Sequence, residues 1–301
     1  MILCVATTPA IDRLFEVERL VPGEIHRPAR YVAVAGGKGL NVARAAAALG
    51  ADVRAIAPLG GHAGAWVAAE LEREGVPADV VEVPGETRSC LTVADASQRG
   101  LTEFYENAPP LGDGGWERLE AAVQARLPEA DWLTLSGSLP EGAPRDGHAR
   151  LIAAARAAGV RVALDTHGES LVHALEARPD LVKVNAVEAA PVVGSAGGPA
   201  ALRERTGGAA AVTHGADGLE LCDDAGAAWQ AKPPAVGPYP VASGDACLAG
   251  MVCARAAGES WADAVALGLG SAAANAEQPG AARLDAERAR ELAAAARKTL
   301  A

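Results

Sequence analysis

Ala242-Ser243-Gly244-Asp245 places three small residues and an acid directly ahead of an apolar run from Ala246 to Cys253. Small residues let the backbone approach a ligand closely. The run predicts a helix whose first N–H groups are unpaired and point back at that ligand. An anion held on those amides, with Asp245 within reach of a hydroxyl, is the pairing that phosphoryl transfer to an alcohol needs. It provides charge stabilisation at the phosphate and a base for the nucleophile. Asp245 is therefore read as a general base, with Ala242, Ser243 and Gly244 forming the anion turn. Ser-Gly-Asp is equally ordinary helix-capping chemistry, and the stretch alone does not separate the two readings.

Two further turns carry the chain's scarce lysines. Of 27 basic residues only Lys38, Lys183, Lys232 and Lys298 are lysine, and Lys38 and Lys183 both fall in turns where a compact ammonium suits an anionic ligand. Around Lys38, glycines 36, 37 and 39 permit close approach, and Asn41 offers an amide on the first turn of an alanine-rich helix ending at Leu49. It is not a Walker A loop, since glycine follows the lysine and Val32 stands where the loop's first glycine belongs. Lys183 lies on a short strand, Leu181 to Val184, with Asn185 and Glu188 one turn apart on the helix that follows. That spacing suits a hydrated Mg²⁺ held through its water ligands, or a helix cap centred on Asn185. Asp12, in Thr7-Thr-Pro-Ala-Ile-Asp-Arg13, is expected just past the carboxyl end of the first strand, where it could accept hydrogen bonds from sugar hydroxyls or be a solvated loop acid.

The elements that must position these residues read as alternating strand and helix. Strands are predicted at Met1–Ala6, Val53–Pro58, Asp79–Val83, Asp131–Leu135, Arg161–Leu164, Leu181–Val184, Ala209–Val212 and Leu219–Cys222. Helices are predicted at 63–73, 144–158, 169–176, 246–257, 261–276 and 284–299. Segment 14–35 has no helical period and reads as irregular strands. Residues 88–106 read as a β-hairpin with a polar turn at Asp95 to Gly100. The two segments together predict a small sheet acting as a lid. Arg88, at the hairpin's start, could grip a phosphate with both arms or form a surface ion pair.

Composition bounds the rest. A chain of 301 residues, half of them apolar but only 3% aromatic, suits helices packed on a parallel sheet. A formal charge of −11 argues against nucleic acid or an anionic membrane as partner. Five cysteines without CxxC spacing suggest neither a disulfide framework nor a zinc site. With no basic leader and no apolar run near ~18 residues, a cytoplasmic protein without a membrane span is expected. Leu91, Val93 and Phe104 could pair the lid with a second copy as a homodimer.

Taken in order, the turns resemble those of the PfkB-type, ribokinase-like carbohydrate kinases, in the branch that phosphorylates phosphorylated ketohexoses. The residues that carry the resemblance are Thr8-Pro-Ala-Ile-Asp12, Gly36-Gly-Lys-Gly-Leu-Asn-Val-Ala-Arg44, Gly85-Glu-Thr-Arg-Ser-Cys90, Ser136-Gly-Ser-Leu-Pro140, Lys183-Val-Asn-Ala-Val-Glu188 and Ser243-Gly-Asp245. The resemblance implies one α/β domain over 1–301 with a mostly parallel central sheet, and a β lid from about 12–35 and 86–107. It implies ATP with Mg²⁺ as donor and fructose 1-phosphate or tagatose 6-phosphate as acceptor. It would place Asp12, Gly37, Lys38, Asn41, Arg88 and Ser138 around the sugar. Lys183, Asn185, Glu188, Thr213, Gly215, Gly218 and Asn275 would surround the nucleotide and its metal. Ala242, where the family usually has glycine, adds a Cβ at the anion turn, while Thr8, Ser89, Val184 and Tyr239 are further departures that bear on the choice of sugar. A kinase of an unphosphorylated sugar or nucleoside, and a sensor that binds without turnover, are the alternatives.

Overall fold

The computed structural model describes residues 1–98, 100–194 and 197–300. The chain opens with β1 (Ile2–Ala6), β2 (Ala10–Val17), β3 (Arg30–Gly36), α1 (Lys38–Ala48), β4 (Val53–Leu59), α2 (Gly61–Arg73) and β5 (Ala78–Glu82). The hairpin β6 (Arg88–Asp95) and β7 (Gly100–Tyr105) follows, then α3 (Gly115–Arg126) and β8 (Trp132–Ser136). The alternation resumes with α4 (Gly147–Ala157), β9 (Arg161–Asp165), α5 (Gly168–Glu176), β10 (Leu181–Asn185), α6 (Ala186–Val193), α7 (Pro199–Thr206) and β11 (Ala209–Thr213). Two short strands, β12 (Leu219–Cys222) and β13 (Ala228–Ala231), precede three helices, α8 (Ser243–Ala256), α9 (Trp261–Ala276) and α10 (Ala286–Arg297).

Among the described residues nine strands form the main sheet, in the order β13-β12-β11-β10-β9-β8-β1-β4-β5. β5 through β11 run parallel, and β12 and β13 close one edge antiparallel. β1 is buried along its whole length, and its alternate side chains feed two cores: Ile2, Cys4 and Ala6 one face, Leu3 and Val5 the other. That is the near-continuous apolar strand expected when helices cover both faces. Each fully buried Leu or Val there contributes about 1.5–3 kcal/mol. Strand order reverses on either side of β1. The crevice at the carboxyl ends of β1 and β8 is thus the switch point at which open α/β sheets bind ligands.

A second sheet, β3-β2-β6-β7, stands apart from the first, with β2 and β6 parallel and the other pairs antiparallel. Its strands overlap the two segments read as a lid, with β2 starting before the first at Ala10 and β3 ending at Gly36, and residue 99 of the expected hairpin turn lies outside the described residues. Asp12 departs from its expected place. It lies within β2, paired with Val34 and Cys90, so it belongs to the lid rather than to a loop past β1. On the lid's outer face Phe104 is exposed, whereas Leu91 is half-buried and Val93 is covered by its neighbours. α3, α7 and β13 have no counterpart in the sequence reading. Of these α3 carries a clear buried stripe, Trp116, Leu119 and Val123, directly after a glycine pair that reads as loop.

Candidate active site

A cleft of about 840 Å³ opens between the lid and the carboxyl ends of the main strands. The strand register aligns the ends that meet there: Ala6 with Ser136, Ser136 with Asp165, and Asn185 with Thr213. The lid contributes Asp12 from β2, and Arg88, Cys90 and Thr92 from alternate positions of β6. Gly37, Lys38 and Asn41 line the cleft from the start of α1, and Ser138 from the turn after β8. Lys183, Asn185 and Glu188 line it at the end of β10, and Thr213, Gly215 and Gly218 after β11. Ala242 to Asp245 line it at the start of α8, with Asp165 at the end of β9 and Leu269, Ala272 and Ala276 on α9. Asn275 does not line the cleft. It is fully buried in α9, behind the anion turn.

The turn ahead of α8 has the shape that an anion site needs. Ala242 adopts a left-handed conformation, φ 61° and ψ 11°, with no side-chain cap on the helix. Among the described residues the N–H groups of Gly244 and Asp245 have no hydrogen-bond acceptor, while Ser243 N donates to Pro240 O at 3.0 Å and Ala246 N to Ala242 O at 2.9 Å. Two free amides therefore stand beside the Asp245 carboxylate. Gly37 is likewise demanded by geometry: φ is 88°, and a Cβ would meet Thr8 O at 2.7 Å.

Asp245 is 5% exposed and is held by Asn41, whose Nδ2 donates to its Oδ2 at 2.9 Å. The same amide nitrogen lies 3.4 Å from Asp12 Oδ2, and Gly37 N donates to that oxygen at 3.1 Å. Arg44, which has only donors, contacts Asn41 Oδ1 at 3.2 Å, and this fixes which end of the amide faces the two acids. Arg44 is itself buried and anchored to Glu74 at 2.8 Å. Burial raises Asp12, outweighing the Gly37 amide and the charges of Arg44 and Arg88. Burial and the nearby Asp165 charge raise Asp245 to about 7, against the opposing pull of Lys38, Lys183 and the Asn41 hydrogen bond. A carboxylate so placed is a competent base near neutral pH.

The lysines are organised by Asp165, an acid visible in the sequence only as a residue at a strand end. It is 1% exposed; its Oδ1 accepts from Lys38 Nζ at 2.8 Å and its Oδ2 from Lys183 Nζ at 2.6 Å. Lys38 also reaches Glu188 Oε1 at 3.3 Å, and Lys183 donates to Gly244 O at 3.0 Å. Burial would lift Asp165, but the two lysines outweigh it and hold its carboxyl below the usual range. Burial would lower Lys38 as well, and Asp165, Asp245 and Glu188 together raise it instead. Both ammonium groups are thus fixed charges. Thr7 Oγ1, donating to Ser138 O at 2.7 Å, and Thr166 Oγ1, donating to Gly137 O at 2.9 Å, hold the turn after β8.

Asn185 and Glu188 form a complete capping box at the start of α6. Asn185 Oδ1 accepts from Glu188 N at 2.9 Å, and Glu188 Oε2 accepts from Asn185 N at 2.9 Å. With Lys38 on its other oxygen, Glu188 has both oxygens engaged. No group of three acidic, His or Cys side chains among the described residues could hold a metal directly. Arg88 is also partly committed, with Nη2 on Thr8 O at 2.9 Å and Nη1 on Glu106 O at 3.2 Å. Its Nε is buried with no partner among the described residues. No helix among them is long and apolar enough to cross a membrane.

Known proteins are similar to this chain over 59% to 98% of its length. A 1-phosphofructokinase from Xanthomonas campestris pv. campestris is 41% identical over 182 residues, 59% of this chain and 56% of that protein's length. One from Haloferax volcanii is 36% identical over 279 residues, 89% of this chain and 88% of that one. The crystal structure of phosphofructokinase-2 from Escherichia coli in complex with substrates and products superposes with a TM-score of 0.88 at 28% identity, covering 98% of this chain and 99% of that one. Residues 1–288 match the family described as pfkB family carbohydrate kinase, to which this chain belongs.

Proposed function

We propose that this kinase transfers the terminal phosphoryl group of ATP to a hydroxyl of a phosphorylated ketohexose, giving the bisphosphate, with fructose 1-phosphate as the first candidate and tagatose 6-phosphate the second. The observation that carries it is the buried Asp245 carboxylate beside the two unpaired N–H groups of Gly244 and Asp245. Asp245 takes the hydroxyl proton, and those amides, at the positive end of α8, meet the transferring phosphate. Asp12, Gly37, Lys38, Asn41, Arg88 and Ser138 hold the sugar phosphate, with Asn41 orienting Asp245. Lys183, Asn185, Glu188, Thr213, Gly215 and Gly218 surround the nucleotide. Mg²⁺ bound with ATP would neutralise charge on its phosphates. With Glu188 and Asn185 engaged in the cap, they are suited to meet the ion's water ligands rather than the ion. The chain acts as one kinase unit over 1–301, and its lid segments 12–35 and 86–107 exclude water from the cleft. All five cysteines are free thiols, which suits a reducing cytoplasm. The exposed rings of Phe104 and Tyr31 support pairing of the lid with a second copy.

An ADP-release assay over a panel of sugars and sugar phosphates tests the reading, with Asp245→Asn as control. Turnover surviving in that variant would remove the mechanism. One observation favours a kinase of an unphosphorylated sugar: both terminal nitrogens of Arg88 already donate to carbonyls. The same panel separates the two readings.

A further inference from the structure

Asn275 lies on α9, fully buried and outside the cleft, yet its amide reaches across to the anion turn. Nδ2 donates to Val241 O at 2.9 Å and to Ser243 Oγ at 2.9 Å, so its two bonds straddle Ala242. Ser243 Oγ passes the tie on to Ala272 O at 3.1 Å, and Tyr239 N donates to Ala276 O at 3.0 Å. The C-terminal half of α9 thus grips the turn from residue 239 to 243. A carbonyl only accepts, so the Val241 bond fixes which end of the amide faces the turn. The other end, Oδ1, has no donor among the described residues. An apolar side chain would sit in this all-buried stretch without leaving an unpaired acceptor, so the amide answers to the turn and not to the core.

The turn needs such a grip. Ala242 is one of the few non-glycine residues with positive φ among the described residues, and an L-residue adopts that region only under constraint. The direction of the free Gly244 and Asp245 N–H groups depends on it, because rotation at residue 242 swings the first turn of α8 relative to the strands.

We infer that Asn275 is a positioning residue, holding Ala242 in its left-handed conformation so that the amides of Gly244 and Asp245 face the transferring phosphate. This rests on the kinase reading above. It moves Asn275 from the nucleotide's surroundings, where the family resemblance would place it, to a clamp behind the turn.

The test compares wild type, Asn275→Leu, Ala242→Gly and the double variant, using MgATP and fructose 1-phosphate. Hydrogen exchange over residues 239–247 is followed in parallel, and thermal unfolding verifies the fold. A clamp acting on transition-state amides should lower kcat ~10-fold or more in Asn275→Leu, with both KM values within about threefold of wild type. Exchange across the turn should speed up. Glycine carries no penalty for positive φ, so adding Ala242→Gly should recover at least about threefold of the lost kcat. Equal losses in the alanine and glycine backgrounds, or a raised KM for ATP at unchanged kcat, overturn the clamp. If Asn275→Leu does not fold, Asn275→Ser, too short to reach Val241, takes its place. If the wild type turns over no sugar, the functional reading fails alone. Exchange then decides the clamp: faster exchange sustains it and unchanged exchange ends it.

Discussion

Asn41 and Asp245, 204 residues apart in the chain, meet through a 2.9 Å hydrogen bond from Nδ2 to Oδ2. Because Arg44 occupies the amide oxygen, the donor end can face only the acids. The bond stabilises the ionised carboxylate, opposing the burial that raises it.

The pH profile follows from that balance. Asp245 must be deprotonated to accept a proton, so kcat/KM should rise with pH up to about 7 and level off above it, where an exposed carboxylate would have levelled off near ~4. Asn41→Leu removes a bond that favours the ionised form, so the acid limb should move to higher pH. Asp245→Asn should lose the limb and at least ~10²-fold in kcat. A limb that stays put in Asp245→Asn would assign the base elsewhere.

Among the described residues Arg88 lines the cleft with hydrogen bonds to carbonyls and none to a carboxylate, although Asp12 feels its charge. Losing a charge-assisted contact of about 1.5–3 kcal/mol predicts a ~10- to 100-fold rise in KM for the sugar phosphate in Arg88→Ala, with kcat little changed. Kinetics on fructose 1-phosphate and on fructose check this, since only the first should respond. A KM that does not move makes Arg88 a strut between Thr8 and Glu106.

Asp165 neutralises two ammonium groups at once. Asp165→Asn leaves Lys183 buried without a carboxylate, and urea unfolding should show a loss of about 3–5 kcal/mol. The Asp165 charge also raises Asp245, so the residual activity should show its acid limb at lower pH than wild type. A stable variant with an unmoved limb would contradict both roles.

His148, 1% exposed with neither ring nitrogen partnered among the described residues, gives the fold an acid sensitivity of its own. Burial, and secondarily His167, pushes it down to about 4. Its folded value lies below the unfolded one near ~6.5, so the unfolded chain takes up the proton first. Stability is complete above about 6.5 and falls as pH drops toward 4, by up to about 3 kcal/mol. His148→Leu should flatten that part of the curve. Parallel urea midpoints for the two proteins at pH 7 and pH 5 would refute it.

The sequence by itself determined the local chemistry. Asp245 behind small residues, the glycines around Lys38, the capping spacing of Asn185 and Glu188, and the strand–turn–helix alternation are all written within a few residues. Turn formation and helix starts are governed at that range. Tertiary structure decided which of these share a site. Placing β1 mid-sheet aligns the ends of β1, β8 and β9, and this joins Asp165 to two lysines that are 145 residues apart in sequence, the difference between positions 183 and 38. Lid pairing drew Asp12 into β2 beside Cys90, and the packing of α9 on α8 set Asn275 behind the turn and not in the cleft. The ionisation of Asp245 was likewise beyond the sequence, because desolvation and the charges of Asp165, Lys38 and Lys183 depend on distances that only the folded chain fixes.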